Sequence, residues 1–167
     1  AINSLLRNTG LAVYCTWIPG VGDIPDALEQ LNPELLITFN TSAEDLMEIA
    51  SVRDRVAQSV PLIVVRDQTD EATISNDISH GARDSVSMRH PERIQTVVRR
   101  ELRAFRMERT LTSTLNAAQD YRHQLETVLR RSKDAIAQVQ EGIVVEANTS
   151  WLELFGFHDA GALIGQP

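Results

Sequence analysis

Read for its hydrophobic rhythm, the chain falls into short apolar blocks, then one long run without a break. Ile2 to Arg7 is a brief apolar stretch closed by Asn8-Thr9-Gly10, a helix-stop signal. Leu11 to Ile18 alternates and is rich in strand formers (Val13, Tyr14, Thr16, Trp17), and Pro19-Gly20 ends it. Asp23 to Leu31 reads as a helix with Ile24, Ala27, Leu28 and Leu31 on one side. After Pro33, Leu35 to Phe39 is a continuous apolar strand of the kind buried on both faces. A helix capped by Thr41 or Ser42 follows to about Ala57, turning Leu46, Ile49, Ala50 and Val52 inward. Val60 to Val65 is a second buried strand, Asp70 to Ile78 a helix ended by Gly81, and Asp84 to Met88 a short last strand.

From Pro91 the pattern changes. Pro91 suits a first helical turn, where its missing N–H costs nothing, and Glu92 lies where the helix dipole favours a negative charge. Neither Pro nor Gly recurs until Gly142, so one helix is expected over 91–137. Ile94, Val98, Leu102 and Phe105 form a first stripe. Steps of four and three then run through Leu111, Leu115, Ala118, Arg122, Leu125, Leu129, Ser132 and Ile136. That is a heptad seam of about three and a half repeats, in which Arg122 and Ser132 are poor members. A second register through Tyr121, Leu125, Val128, Ser132 and Ala135 is nearly as good. A two-helix homodimer through Leu111, Leu115, Ala118, Leu125, Leu129 and Ile136 is the preferred expectation; a single amphipathic helix lying on its own domain is the alternative.

Regular alternation of strand and helix before this run predicts an α/β fold: a doubly wound parallel sheet with helices on both faces. The functional crevice of such a sheet lies at the carboxyl ends of its strands, here near Phe39/Asn40, Arg66/Asp67 and Met88.

Composition and charge narrow the function. A hydrophobic fraction of 43% over 167 residues fits one globular domain and part of another. The net charge of −7 argues against a general nucleic-acid role. The long helix departs from that balance, with ten Lys/Arg against five Asp/Glu between Glu92 and Lys133, a solvated flank before it is a phosphate site. Cys15, the only cysteine, permits no intrachain disulfide and fits a reducing cytoplasm; core packing is its expected role. No apolar run approaches the roughly 18 residues of a membrane span, and no signal peptide is visible, so no membrane insertion is expected. His80, His90, His123 and His158 have no metal-ligand spacing, so no metal site is expected, and surface or capping roles are. Trp17 and Trp151 are expected in cores.

Three stretches carry a resemblance. Pro33-Glu34-Leu35-Leu36-Ile37 resembles the third strand of a response-regulator receiver domain, and Val60-Pro61-Leu62-Ile63-Val64-Val65 its fourth. His80-Gly81-Ala82-Arg83-Asp84-Ser85-Val86 resembles the Gly-Ala-x-Asp run entering its fifth. The likeness covers roughly 1–106. An active receiver needs an Asp ending the third strand to accept a phosphoryl group, and acidic residues after the first strand to hold Mg²⁺. It also needs a Ser/Thr after the fourth strand and a Lys after the fifth. The resemblance puts the acceptor position on Phe39, with Asn40 beside it, the Ser/Thr position on Arg66, the Lys position on Met88 and the aromatic switch on Ser85. The acidic pair is not found. The resemblance therefore implies a pseudo-receiver without phosphotransfer. Arg66 and Arg89 near the crevice offer a weaker anion-binding reading. In the receiver strand order 2-1-3-4-5 the first strand is central, and this sequence opens at the first helix. Some other segment is expected to fill that slot, because bare interior edges aggregate.

A second resemblance lies at the other end. The run from Asp134 through Gly142 to Asn148 is similar to the opening hairpin of a PAS domain. Ser150-Trp151-Leu152-Glu153-Leu154-Phe155-Gly156-Phe157 and Leu163-Ile164-Gly165-Gln166-Pro167 continue it. The expected organisation is a receiver-like domain over 1–106, a signalling helix over 91–137 and the beginning of a PAS domain over 138–167, too short to assign a cofactor. That order resembles the input half of FimX-type cyclic-di-GMP signalling proteins. It implies a non-catalytic, cytoplasmic signal-input module with a protein partner and with GGDEF and EAL output domains attached. The alternative is a phosphorylatable receiver governing an attached output.

Overall fold

A computed structural model describes residues 2–7, 12–158 and 161. The chain divides into two compact units, Ala1–Thr110 and Leu111–Pro167, that part within the long helix.

The first unit contains α1 (Ile2–Arg7), α2 (Ile24–Leu31), β1 (Leu36–Phe39), α3 (Ala43–Val56), β2 (Leu62–Arg66), α4 (Glu71–Ser79), β3 (Asp84–Ser87) and the first part of α5 (Pro91–Arg131). The strands form one parallel sheet in the order β1-β2-β3. Leu36 pairs with Leu62 and Phe39 with Val65; Ile63 pairs with Asp84 and Arg66 with Ser87. Alternate residues of a strand point to opposite faces, so the continuous apolar runs supply two cores. Leu36, Leu62 and Val64 pack with Ile24 and Leu28 of α2 and with Leu46, Ile49 and Ala50 of α3. Ile63, Val65 and Val86 pack with Leu6 of α1 and with Ile94, Val97, Val98 and Leu102 of α5. This is the α/β architecture the alternation predicts.

The helix ends follow from local chemistry. Ser42 caps α3, its Oγ accepting from the Asp45 N–H at 3.1 Å. Asp70 caps α4 by accepting from the Thr73 N–H at 2.7 Å. Gly81 closes the α4–β3 turn at φ +99, and a Cβ there would lie 2.7 Å from that of Ala50. Only glycine meets both demands cheaply.

The stretch expected as a strand over 11–18 is not one. Residues 12–20 form no strand, and Leu11, like the Asn8-Thr9-Gly10 stop signal, lies outside the described residues. A strand needs a hydrogen-bonded neighbour. Among the described residues β1 pairs only with β2, and nothing fills the slot at its outer edge. Cys15 and Trp17, expected in the core, are consequently exposed.

In the second unit α5 ends at Arg131 rather than at Ala137, and an antiparallel hairpin follows, β4 (Ala137–Gln140) with β5 (Ile143–Ala147), then α6 (Thr149–Phe155). Glu141 and Gly142 both take positive φ (52 and 83), the backbone of a two-residue hairpin turn. Asn148 explains where α5 stops. Its side-chain amide donates to the carbonyls of Leu129 at 3.2 Å and Asp134 at 2.8 Å. Its Oδ1 accepts from the N–H groups of Ile136 and Trp151, each at 2.9 Å. One buried side chain thus ends α5, anchors the hairpin and caps α6. Trp151 is half-buried and stacks near Phe155 and Phe157, with ring centroids 4.3 and 5.9 Å away.

Candidate functional site

The carboxyl ends of β1, β2 and β3 meet where the doubly wound topology puts a crevice. Phe39 ends β1 and is 39% exposed. Asn40 follows at φ +45, a left-handed conformation that Asn tolerates better than most residues. This turn aims its amide at the end of the neighbouring strand. Asn40 Nδ2 donates to Asp67 Oδ2 at 3.1 Å, and the Asp67 N–H returns to Asn40 Oδ1 at 3.0 Å. The Asp67 carbonyl accepts from Ser87 Oγ at 3.0 Å, and that hydroxyl accepts from the Arg89 N–H at 3.2 Å. A chain of polar contacts therefore stitches the three strand ends together.

Beneath it lies a second, buried network. Arg66, the last residue of β2, grips Asp77 of α4 with both arms: Nε to Oδ2 at 2.7 Å and Nη2 to Oδ1 at 2.5 Å. Ser85 Oγ of β3 donates to the same Oδ2 at 2.6 Å. Asp77 and Ser85 have no solvent exposure. Burial alone would raise the Asp77 pKa, but the hydrogen bonds from Arg66 and Ser85 outweigh it and hold the carboxyl below its ordinary range. Arg66 is raised in turn, chiefly by its hydrogen bond to Asp77.

The expected site positions are thus distributed unevenly. Arg66 and Ser85 are brought together through Asp77. Phe39 and Asn40 lie at the neighbouring strand end, with Asn40 joined to Asp67. Met88 reaches the group only through its backbone, its N–H donating to the Arg66 carbonyl at 2.7 Å. Its side chain packs into the apolar layer under α1 and α5. Arg66 is committed to Asp77, which weakens the anion-binding reading of that arginine. His80 Nδ1 lies 2.7 Å from the Asn76 carbonyl, at the end of α4. Among the described residues no cluster of three His, Cys, Asp or Glu side chains could hold a metal ion.

Asp77 itself escaped sequence reasoning. Its signal is a carboxylate one helical turn after Ile74, on the side that should be apolar, in the helix that follows an Arg ending a buried run. Asn148 was equally silent, since nothing local announces a side chain with partners on four segments.

Along α5, Leu111, Leu115, Ala118 and Leu125 are exposed, and Leu129 is half-buried. Ile136 lies beyond the end of α5, so it cannot continue a helical seam. Tyr121 and Val128, members of the second register, are 72% and 65% exposed. Arg122 turns to its own helix and pairs with Glu126 at 3.1 Å.

No protein-family model and no curated protein matches the sequence. Among solved structures, the chain is similar to one described as the signal receiver domain of a Luxo repressor protein from Vibrio parahaemolyticus. The match has a TM-score of 0.50 at 17% identity, over 65% of this chain and 84% of that one. The likeness is one of fold, and it is the fold that the three quoted stretches imply: receiver-like α/β with a long C-terminal helix. Among the described residues no helix is long and apolar enough to cross a membrane.

Proposed function

We propose that this chain is a non-catalytic signal-input and dimerisation module of a bacterial cyclic-di-GMP signalling protein of the FimX type. In this reading the receiver-like unit is a pseudo-receiver that binds a protein partner in the cytoplasm. The long helix passes the change to a PAS domain whose opening hairpin is the β4–β5 pair. One observation supports the reading above the rest: Phe39 stands at the position that the resemblance gives to the acceptor, and the neighbouring Asn40 is hydrogen-bonded to Asp67. A phenyl ring and a carboxamide cannot form an acyl phosphate. Support for pairing comes from the exposed stripe Leu111, Leu115, Ala118 and Leu125, an apolar row that water solvates poorly.

Incubation with acetyl phosphate and Mg²⁺, followed by intact-mass measurement, tests the phosphotransfer half. The expected result is no mass gain. A stable phosphoryl adduct on Asp67 would favour the alternative, a working receiver with a displaced acceptor. The solution mass of the chain beside its Leu125→Lys variant tests the dimer: a dimer for the first and a monomer for the second are expected. A monomeric parent chain removes dimerisation from the proposal.

A further inference from the structure

α4 is held to its sheet in an unusual way. In α3, Leu46, Ile49, Ala50 and Val52 are all buried, as befits a helix docked by the hydrophobic effect. In α4, running Glu71–Ser79, the buried residue is Asp77. Its carboxylate takes two hydrogen bonds from Arg66 at the end of β2 and one from Ser85 in β3. One helix is therefore tied to two adjacent strands through a single charged group, and both ties end on positions that the receiver resemblance assigns to the switch: Arg66 for the hydroxyl that follows the phosphoryl group, Ser85 for the mobile aromatic ring.

We propose that Asp77 is a permanent ionic latch that keeps α4 in one position, so that the α4–β3 face has a single conformation independent of phosphorylation. A receiver that switches needs two arrangements of this region separated by a small free-energy gap. Here a displacement of α4 away from the sheet would break the bidentate Arg66 pair and the Ser85 hydrogen bond together, which disfavours it. Ser85 adds a constraint that a ring could not, because its short, fully buried hydroxyl donates to the carboxylate. The inference uses the receiver-like fold and the observed network. It does not depend on the cyclic-di-GMP context or on the identity of any partner.

Hydrogen exchange read by mass spectrometry on the full chain tests it, with Asp77→Asn and Ser85→Ala beside the parent. In the parent, α4 amides are expected to be protected comparably to those of α3. Asp77→Asn keeps the shape but not the charge, and should speed exchange in 71–80 at least tenfold while leaving 43–56 unchanged. Ser85→Ala should act on the same segment with a smaller factor, and it carries the test if Asp77→Asn does not fold. Unaltered α4 exchange in a folded variant overturns the latch. So does acceleration shared equally by α3, which would make Asp77 a general stability residue. Exchange is then repeated with acetyl phosphate and Mg²⁺. A change confined to α4 refutes independence from phosphorylation, whereas a mass gain with unaltered α4 exchange defeats only the proposed lack of phosphotransfer.

Discussion

The two edges of the sheet are finished differently. At the β3 edge each buried polar group has a partner. Asp84 pairs with Arg100 at 2.8 Å and with Arg93 at 3.5 Å, and Asp77 holds Arg66 and Ser85. At the β1 edge the backbone has no neighbour among the described residues, and Thr38 Oγ1 is buried without a hydrogen-bond partner. Tyr14 and Trp17, strand formers in the segment expected as a strand on the far side of that slot, are 86% and 77% exposed. β1 (Leu36-Ile37-Thr38-Phe39) has the better strand formers and β3 (Asp84-Ser85-Val86-Ser87) the poorer, so propensity does not explain which edge is finished. What separates them is the supply of partners: α4 and α5 deliver charged side chains to one edge, and nothing described pairs with the other. A strand is a property of a pair, and a buried polar atom is tolerable only in company.

The sharpest way to break that contrast is Asp77→Ala. It leaves Arg66 and Ser85 facing an uncharged gap in a buried site, and the expected loss is about 3 kcal/mol in denaturant unfolding. The same group predicts a pH effect. Its folded pKa is depressed, so its stabilisation is complete above the unfolded value and is lost as pH falls through the folded one. Arg66 keeps its charge throughout this range, so it does not offset the loss. Below about pH 4 the parent should therefore lose stability faster than Asp77→Asn. Parallel acid profiles for the two proteins would show that Asp77 is not the group responsible.

Next in size is Gly81→Ala, at the turn that delivers Asp84 to β3. The positive φ and the approach to Ala50 act together, for an expected loss of about 2 kcal/mol by the same denaturant assay. Arg53 Nη2 donates to the Gly81 carbonyl at 3.2 Å, so a backbone shift that relieved the clash would strain that bond too. A loss under about 0.5 kcal/mol would mean that this turn yields easily and that the β3 edge is less rigid than its contacts suggest.

How much of this could be read beforehand depends on the range of the interaction. Leu62 to Val65 announce a buried strand because four successive apolar residues need no knowledge of partners. Ser42, Asp70 and Pro91 announce helix starts because caps act within one turn. The end of α5 was misplaced because Asn148 reaches back to Leu129, and no local rule encodes a cap that arrives from beyond a hairpin. Residues 12–18 failed for the complementary reason: the local pattern is sound, but no described strand pairs with them. At the crevice the residue types at 39, 40, 66, 85 and 88 were legible by resemblance. The latch was not, since the contribution of Asp77 depends on a strand end and a second strand meeting beneath one helix.

The smallest expected effect has the opposite sign, and it discriminates the two edges best. Thr38→Val replaces a hydroxyl with a methyl group of nearly the same volume at the unfinished edge, and Ser85→Ala removes a hydroxyl at the finished one. Burial without a partner makes the Thr38 hydroxyl a cost, so Thr38→Val should be neutral or stabilising by up to about 1 kcal/mol. Ser85 donates to a carboxylate, so its loss should cost about 1.5 kcal/mol or more. A clear loss of stability from Thr38→Val would mean that the hydroxyl is satisfied in solution, and the outer edge of β1 would then be occupied rather than open. Opposite signs for two hydroxyl deletions in one sheet would place the difference in the partners, since strand propensity favours valine over threonine only slightly and cannot produce a gap of that size.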